Sequence, residues 1–187
     1  MGDVTMNWLQ TVFVLGAAFL AVFWEAAFSG VRHLLGSQID LLPALMVYAS
    51  LSTGITTVVL LAFCGGLWFD SLSANPLGVT AIPLFAIGLA IYLCRELILR
   101  DETFAQLVLG LGASVAAPLL TLLLLLTMGH TPLLGWGTFW QLAVLSVGGA
   151  VATPICFKLF GWFQRTLVHR GDTASSFRLD REIRRGK

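Results

Sequence analysis

The sequence predicts an all-α integral membrane protein, a transmembrane bundle of six helices with five as the alternative, and three observations predict it. Hydrophobic residues make up 57% of the 187-residue chain and charged residues only 11%, with a mean hydropathy of +0.87; a soluble domain carries about 25% charged residues. Apolar runs recur as far as position 162, several of them near the roughly 20 residues that cross a hydrocarbon layer at about 1.5 Å per residue. Trp8, Trp24, Trp68, Trp136, Trp140 and Trp162 fall near the ends of those runs, as in an interfacial aromatic belt.

Taken in order, the first span is expected over 8–28. The preceding Met1-Gly2-Asp3-Val4-Thr5 lacks the basic start of a secretory signal, so this span is expected to be retained. Residues 41–69 are too long for one upright helix, at about 43 Å, and give about 21 Å each as two. The segment "SLSTG", with Ser50, Ser52, Thr53 and Gly54, offers hinge chemistry, so two helices are expected there. Further spans follow at 79–99, 104–128 and 138–162. Residues 1–162 thus form the bundle, and 163–187 a basic tail.

Lys and Arg orient the chain. Arg165, Arg170, Arg178, Arg181, Arg184, Arg185 and Lys187 follow the last span, and Arg95 and Arg100 lie between the spans at 79–99 and 104–128. The excess of basic residues places both regions in the cytoplasm. Residues 70–78 then face outward with either helix count. Six helices put the N-terminus inside and Arg32 outside; five reverse both. Small residues four apart at Ala17/Ala21, Ala86/Ala90, Gly110/Ser114 and Gly148/Ala152 would let helix backbones approach closely in lipid.

The chain carries little that could do chemistry. The segment "GLGAS" at 110–114 lacks the Lys and the preceding strand of a phosphate-binding loop. Cys64, Cys94 and Cys156 have no metal-binding spacing and read as small buried hydrophobes. A hydrolase assembled from Ser71 or Ser73 with His130 and Asp70 lacks any nucleophile elbow. Glu25 and Lys158 are the ionisable residues nearest membrane depth, and each sits close to a Trp, where snorkelling to the interface accounts for it. No enzyme, cofactor, metal or nucleic-acid reading follows.

The most polar stretch of the first half is "FDSLSANPLG" at 69–78. Asp70 can accept N–H bonds two or three residues on, as an Asx-turn or helix cap, and Ser71 and Ser73 can act likewise. Asn75-Pro76 favours a turn, and Gly78 can supply a positive φ before the next helix.

The stretch "GGLWFDSLSANPLGVTAIPLFAIGLAIYL", residues 65–93, resembles the characteristic region of the rod shape-determining MreD family through Gly65, Gly66, Leu67, Asp70, Ser73, Pro76, Leu77 and Gly78. Length, helix spacing and the basic C-terminal end are also similar. The resemblance implies a non-enzymatic scaffold subunit of the bacterial cell-elongation machinery, in the inner membrane with a cytoplasmic C-terminus. It also implies an MreC-like bitopic partner and work alongside an MreB-like filament, a RodA-like protein and a transpeptidase in lateral peptidoglycan synthesis. The implied fold is similar to the six-helix substrate-binding subunits of energy-coupling-factor transporters. A vitamin-binding or small-molecule transporter subunit is therefore the alternative function. The loop motif Asp70, Ser71, Ser73, Asn75, Pro76, Leu77 and Gly78 is the expected partner-facing element. The tail, with Arg178, Arg181, Arg184 and Arg185, acts either as a charge anchor at anionic headgroups or as a short docking helix through Leu179 and Ile183.

Overall fold

A computed structural model describes residues 2–27, 40–73, 76–96, 103–129 and 136–179, with side chains from 8 onward and up to 163. Among these residues helix is the only regular secondary structure, with no strand. Helix α1 spans Gly2–Ala27 and α2 spans Leu42–Ser52. Helix α3 covers Ile55–Leu72 and includes a π-helical turn at Leu61–Gly65. Helices α4 (Ala81–Cys94), α5 (Thr103–Thr127) and α6 (Trp136–Leu179) complete the order. Four segments, Trp8–Ala27, Ile55–Leu72, Thr103–Thr127 and Trp136–Phe163, are long and apolar enough to cross a membrane; α2 and α4 are shorter apolar helices. Residues Met1–Pro154 form one compact unit and Ile155–Lys187 a second, and Pro154 lies inside α6 at that boundary.

The segment 41–69 divides as expected. Pro43 starts α2, where its missing N–H leaves no helical bond unmade. At the other end the Ser50 hydroxyl donates to the Met46 carbonyl and the Thr53 hydroxyl to the Ala49 carbonyl, at 2.8 and 2.6 Å. Thr53 then turns extended, with φ −125° and ψ −175°, and the Gly54 carbonyl accepts the Thr57 amide to open α3. At about 16 Å α2 is too short to cross the hydrocarbon by itself. It is covered by protein instead: every residue from Leu42 to Leu51 is buried, and α1, α3, α4 and α5 all pack against it.

Helix α3 buries Val58, Ala62, Gly66 and Asp70 along one stripe. Steps of four drift about 40° each around an α-helix. The wider π turn at Leu61–Gly65 takes up that drift, so Gly66 and Asp70 stay on the face that meets α4. The contact there is close: a Cβ on Gly66 would lie 2.6 Å from Ala81 Cα and 2.7 Å from Ala81 N.

One pole of the bundle collects the end of α1, the start of α2, the end of α3 and the start of α4. The Phe19 and Trp68 rings meet edge to face at 5.3 Å, a Cβ on Gly65 would lie 3.1 Å from Leu42 Cδ2, and the Leu41 amide donates to Glu25 Oε1 at 2.7 Å. Nearer the opposite ends of α1 and α3, the buried Thr11 and Thr57 hydroxyls share a 2.7 Å hydrogen bond.

The small-residue pairs are used selectively. Gly110 and Ser114 do lie at a helix crossing, but their partners on α6 are Gly149 and Thr153, not Gly148 and Ala152. A Cβ on Gly149 would overlap the Ser114 side chain, and one on Gly110 would sit 2.9 Å from the Gly149 carbonyl oxygen and clash with Thr153. Ala86 and Ala90 face outward, whereas Gly88 makes the approach to Met46 and Val58 on the other side of α4. The cysteines also differ from expectation. Cys94 is exposed at the end of α4 and Cys64 and Cys156 are half-buried, because the turns they occupy border the outer surface of the helices. Most tryptophans, among them Trp8, Trp24, Trp136, Trp140 and Trp162, are exposed, as a belt facing lipid requires.

The last helix continues beyond the expected end at 162, through the first part of the tail to Leu179. Arg178 belongs to its backbone, while Arg181, Arg184, Arg185 and Ile183 lie outside the described residues.

Candidate functional site

The connection from Asp70 to Thr80 draws most of the motif residues into one hydrogen-bonded unit. Asp70 is 1% exposed, at the end of α3. Its Oδ2 accepts the Gly78 amide at 2.8 Å and the Thr80 amide at 3.1 Å, and its Oδ1 accepts the Thr80 hydroxyl. The bonds run eight and ten residues forward rather than the two or three expected of an Asx-turn, because the close fit of Gly66 on Ala81 brings the start of α4 beside the last turn of α3. Asp70 therefore caps the following helix from outside it, satisfying amides that open α4 and placing negative charge at its N-terminal end.

Gly78 has φ +91°, the left-handed conformation in which a side chain would be strained, and that turn aims its amide at Asp70. The Pro76 carbonyl accepts the Val79 amide at 3.3 Å. Ser71 and Ser73 are not helix-opening caps. The Ser71 hydroxyl donates to the Trp68 carbonyl at 2.7 Å and the Ser73 hydroxyl to the Asp70 carbonyl at 3.3 Å, closing the end of α3. Leu77 is 71% exposed and Pro76 is exposed beside it, so the tip presents an apolar surface over a tied base. Asn75 lies outside the described residues, as do His33 and His130.

The pole holds two further carboxylates whose role the sequence did not reveal. Glu25, expected to snorkel to the interface, instead turns its carboxylate inward. Its Oε1 takes the Leu41 amide, and its Oε2 is buried without a hydrogen-bond partner. Asp40 Oδ1 accepts the Leu42 amide at 2.9 Å, and burial pushes its carboxyl up to about 6. Two short inner helices thus begin at this pole, and carboxylates cap both. The signal available in sequence was the Asp40-Leu41-Leu42-Pro43 start, an acidic residue just before a helix whose first turn holds Pro; nothing local indicated Glu25.

Among the described residues no group of three or more His, Cys, Asp or Glu side chains is arranged to hold a metal. A cleft of about 150 Å³ lies between α5 and α6, with Thr138 and Gln141 as its polar lining and Pro118, Leu122 and Leu145 among its apolar walls. Pockets for organic ligands occupy about 300–1,000 Å³.

No protein-family model, curated protein or solved structure matches the chain.

Proposed function

We propose that this chain is a non-enzymatic, MreD-like scaffold subunit of the bacterial cell-elongation machinery, working in the inner membrane beside an MreC-like bitopic protein. The observation that carries the reading is the Asp70 tie. Four of the residues that carry the resemblance, Gly66, Asp70, Ser73 and Gly78, join in one packed and hydrogen-bonded connection under an exposed tip formed by two more of them, Pro76 and Leu77. The Asp70 carboxylate serves fold geometry there. Its bonds go to Gly78 and Thr80, and the Ser71 and Ser73 hydroxyls donate to main-chain carbonyls, an arrangement suited to presenting a fixed surface.

In this reading the tip faces outward, both chain ends are cytoplasmic as six helices require, and the basic region after the last span lies against the inner leaflet.

The test is affinity purification of the tagged full chain from native membranes in mild detergent. A single-span, MreC-like protein should co-purify, and the Pro76→Ser/Leu77→Ser double variant should recover at least about tenfold less of it at equal membrane level. Recovery of an ATPase motor in place of that partner would overturn the scaffold reading in favour of transport.

A further inference from the structure

The cleft between α5 and α6 begins one turn beyond their crossing, on the side of the connection that joins them. At the crossing the backbones meet closely: a Cβ on Gly149 would overlap Ser114, and one on Gly110 would lie 2.9 Å from the Gly149 carbonyl oxygen. One turn on, Pro118 and Leu145 take the place of these small residues, and a turn beyond them stand Leu122 and Gln141. All four line the cleft. Their larger side chains hold the two backbones apart, and the space left between the helices is the cleft.

The cleft opens to the surroundings of the bundle, since Leu119 on one rim is 46% exposed and Gln141 on the other is exposed. It is polar at one end only. Thr138 and Gln141 come from near the start of α6, and Leu145 from deeper in the same span. Trp136, Phe139 and Trp140 are exposed around that start, which marks the polar end as the one near the headgroups. Gln141 stands about 7 to 8 Å farther in than Trp136, at the border of the hydrocarbon. Its carboxamide makes no hydrogen bond among the described residues, and an amide in hydrocarbon is costly without one.

We propose that this cleft binds one acyl-ester lipid of the bilayer, its chain against Pro118, Leu122 and Leu145 and a chain-ester carbonyl accepting a hydrogen bond from Gln141 Nε2. The polarity of the walls selects that occupant: an apolar chain toward the middle of the membrane, and a hydrogen-bond acceptor close to the headgroups. A single acyl chain is narrow and flexible enough to enter a space of about 150 Å³, which is small for a compact organic ligand. A helix of a partner or of a second copy fits less well. Helix interfaces in lipid use small residues for close approach, and no Gly, Ala or Ser lines the cleft. The bound lipid fills the gap that the crossing leaves and ties together the ends of α5 and α6 beyond it. The site needs only the membrane setting, not the scaffold role.

The experiment is native mass spectrometry of the full chain in detergent, titrated with a diacyl phosphatidylglycerol and with its dialkyl-ether analogue of the same headgroup and chain length. Wild type should bind the first diacyl lipid at least about threefold more tightly than the ether lipid, which lacks the carbonyl. Gln141→Leu, an apolar change on a lipid-facing position, should bind the two lipids equally. Leu122→Trp, which narrows the cleft, should weaken both by at least about threefold, with thermal unfolding as the check that each variant keeps its fold. Should Leu122→Trp fail to fold, the Gln141→Leu comparison decides alone. The proposal is overturned if wild type shows no preference for the ester lipid, or if Gln141→Leu keeps that preference. A wild-type dimer that retains no lipid and dissociates in Leu122→Trp would also overturn it and give the cleft to a second copy.

Discussion

Asp70→Ala is expected to destabilise the protein by about 3 kcal/mol or more, while Asp70→Asn costs about 1 kcal/mol. Alanine leaves the Gly78 amide, the Thr80 amide and the Thr80 hydroxyl without their acceptor, inside a site where the carboxylate is 1% exposed. Each buried donor left unpaired costs about 1–3 kcal/mol. Asparagine can meet the same three groups. Its carbonyl oxygen replaces Oδ2 as acceptor for the two amides, and its NH₂ replaces Oδ1, because the Thr80 hydroxyl can rotate and accept instead of donate. What asparagine loses is the charge assistance of those bonds. Thermal unfolding in detergent, together with the level of each variant in the membrane, measures the difference. Equal and severe loss in both variants would mean that the negative charge itself, not the pattern of acceptors, is what the connection requires.

Gly66→Ala is the second large effect. The added methyl would lie 2.6 Å from Ala81 Cα, 2.7 Å from Ala81 N and 2.9 Å from Ala81 Cβ. The obstacle is mainly backbone, so no rotamer change relieves it, and α3 must move away from α4. Overpacking of this kind costs about 1–3 kcal/mol. Moving the helices apart also lengthens the Asp70 bonds to Gly78 and Thr80, so the loss should reach about 3 kcal/mol or more. Gly16→Ala is the control, because a Cβ there meets nothing within 4 Å and alanine is the better helix former by about 1 kcal/mol. Unfolding midpoints of the two variants should therefore separate by several degrees, with Gly16→Ala at or above wild type. A Gly66→Ala protein as stable as wild type would refute the close α3–α4 contact, and with it the reason that Asp70 reaches the next helix.

The helices were legible in the sequence because hydropathy records burial in lipid directly. The break at Thr53–Gly54 was legible too, since Ser, Thr and Gly carry local chemistry that ends a helix. What escaped depended on phase and on distance. The crossing of α5 and α6 uses Gly149 and Thr153, but the run Gly148-Gly149-Ala150 followed by Ala152-Thr153 offers small residues on adjacent faces, and spacing alone does not choose between them. The π turn at Leu61–Gly65 has no hydropathy signature; only the four-residue step Val58, Ala62, Gly66, Asp70 hints at a wider turn. Asp70 was recognised as an organiser of the connection, but its acceptors serve residues eight and ten positions on, which become neighbours through the contact of Gly66 with Ala81. Glu25 was misread for a related reason. Beside Trp24 at a helix end it has the pattern of an interfacial residue, and its partner, the Leu41 amide, is sixteen positions away.

The most direct measurement of the proposed role is cell width after depletion of this chain from the cells that make it. Depleted cells should widen and round while small-molecule uptake continues, and Asp70→Asn should restore rod shape where Asp70→Ala, expressed from the same promoter, does not. Cells that keep a normal width after depletion, and lose uptake of a small molecule instead, would contradict the account.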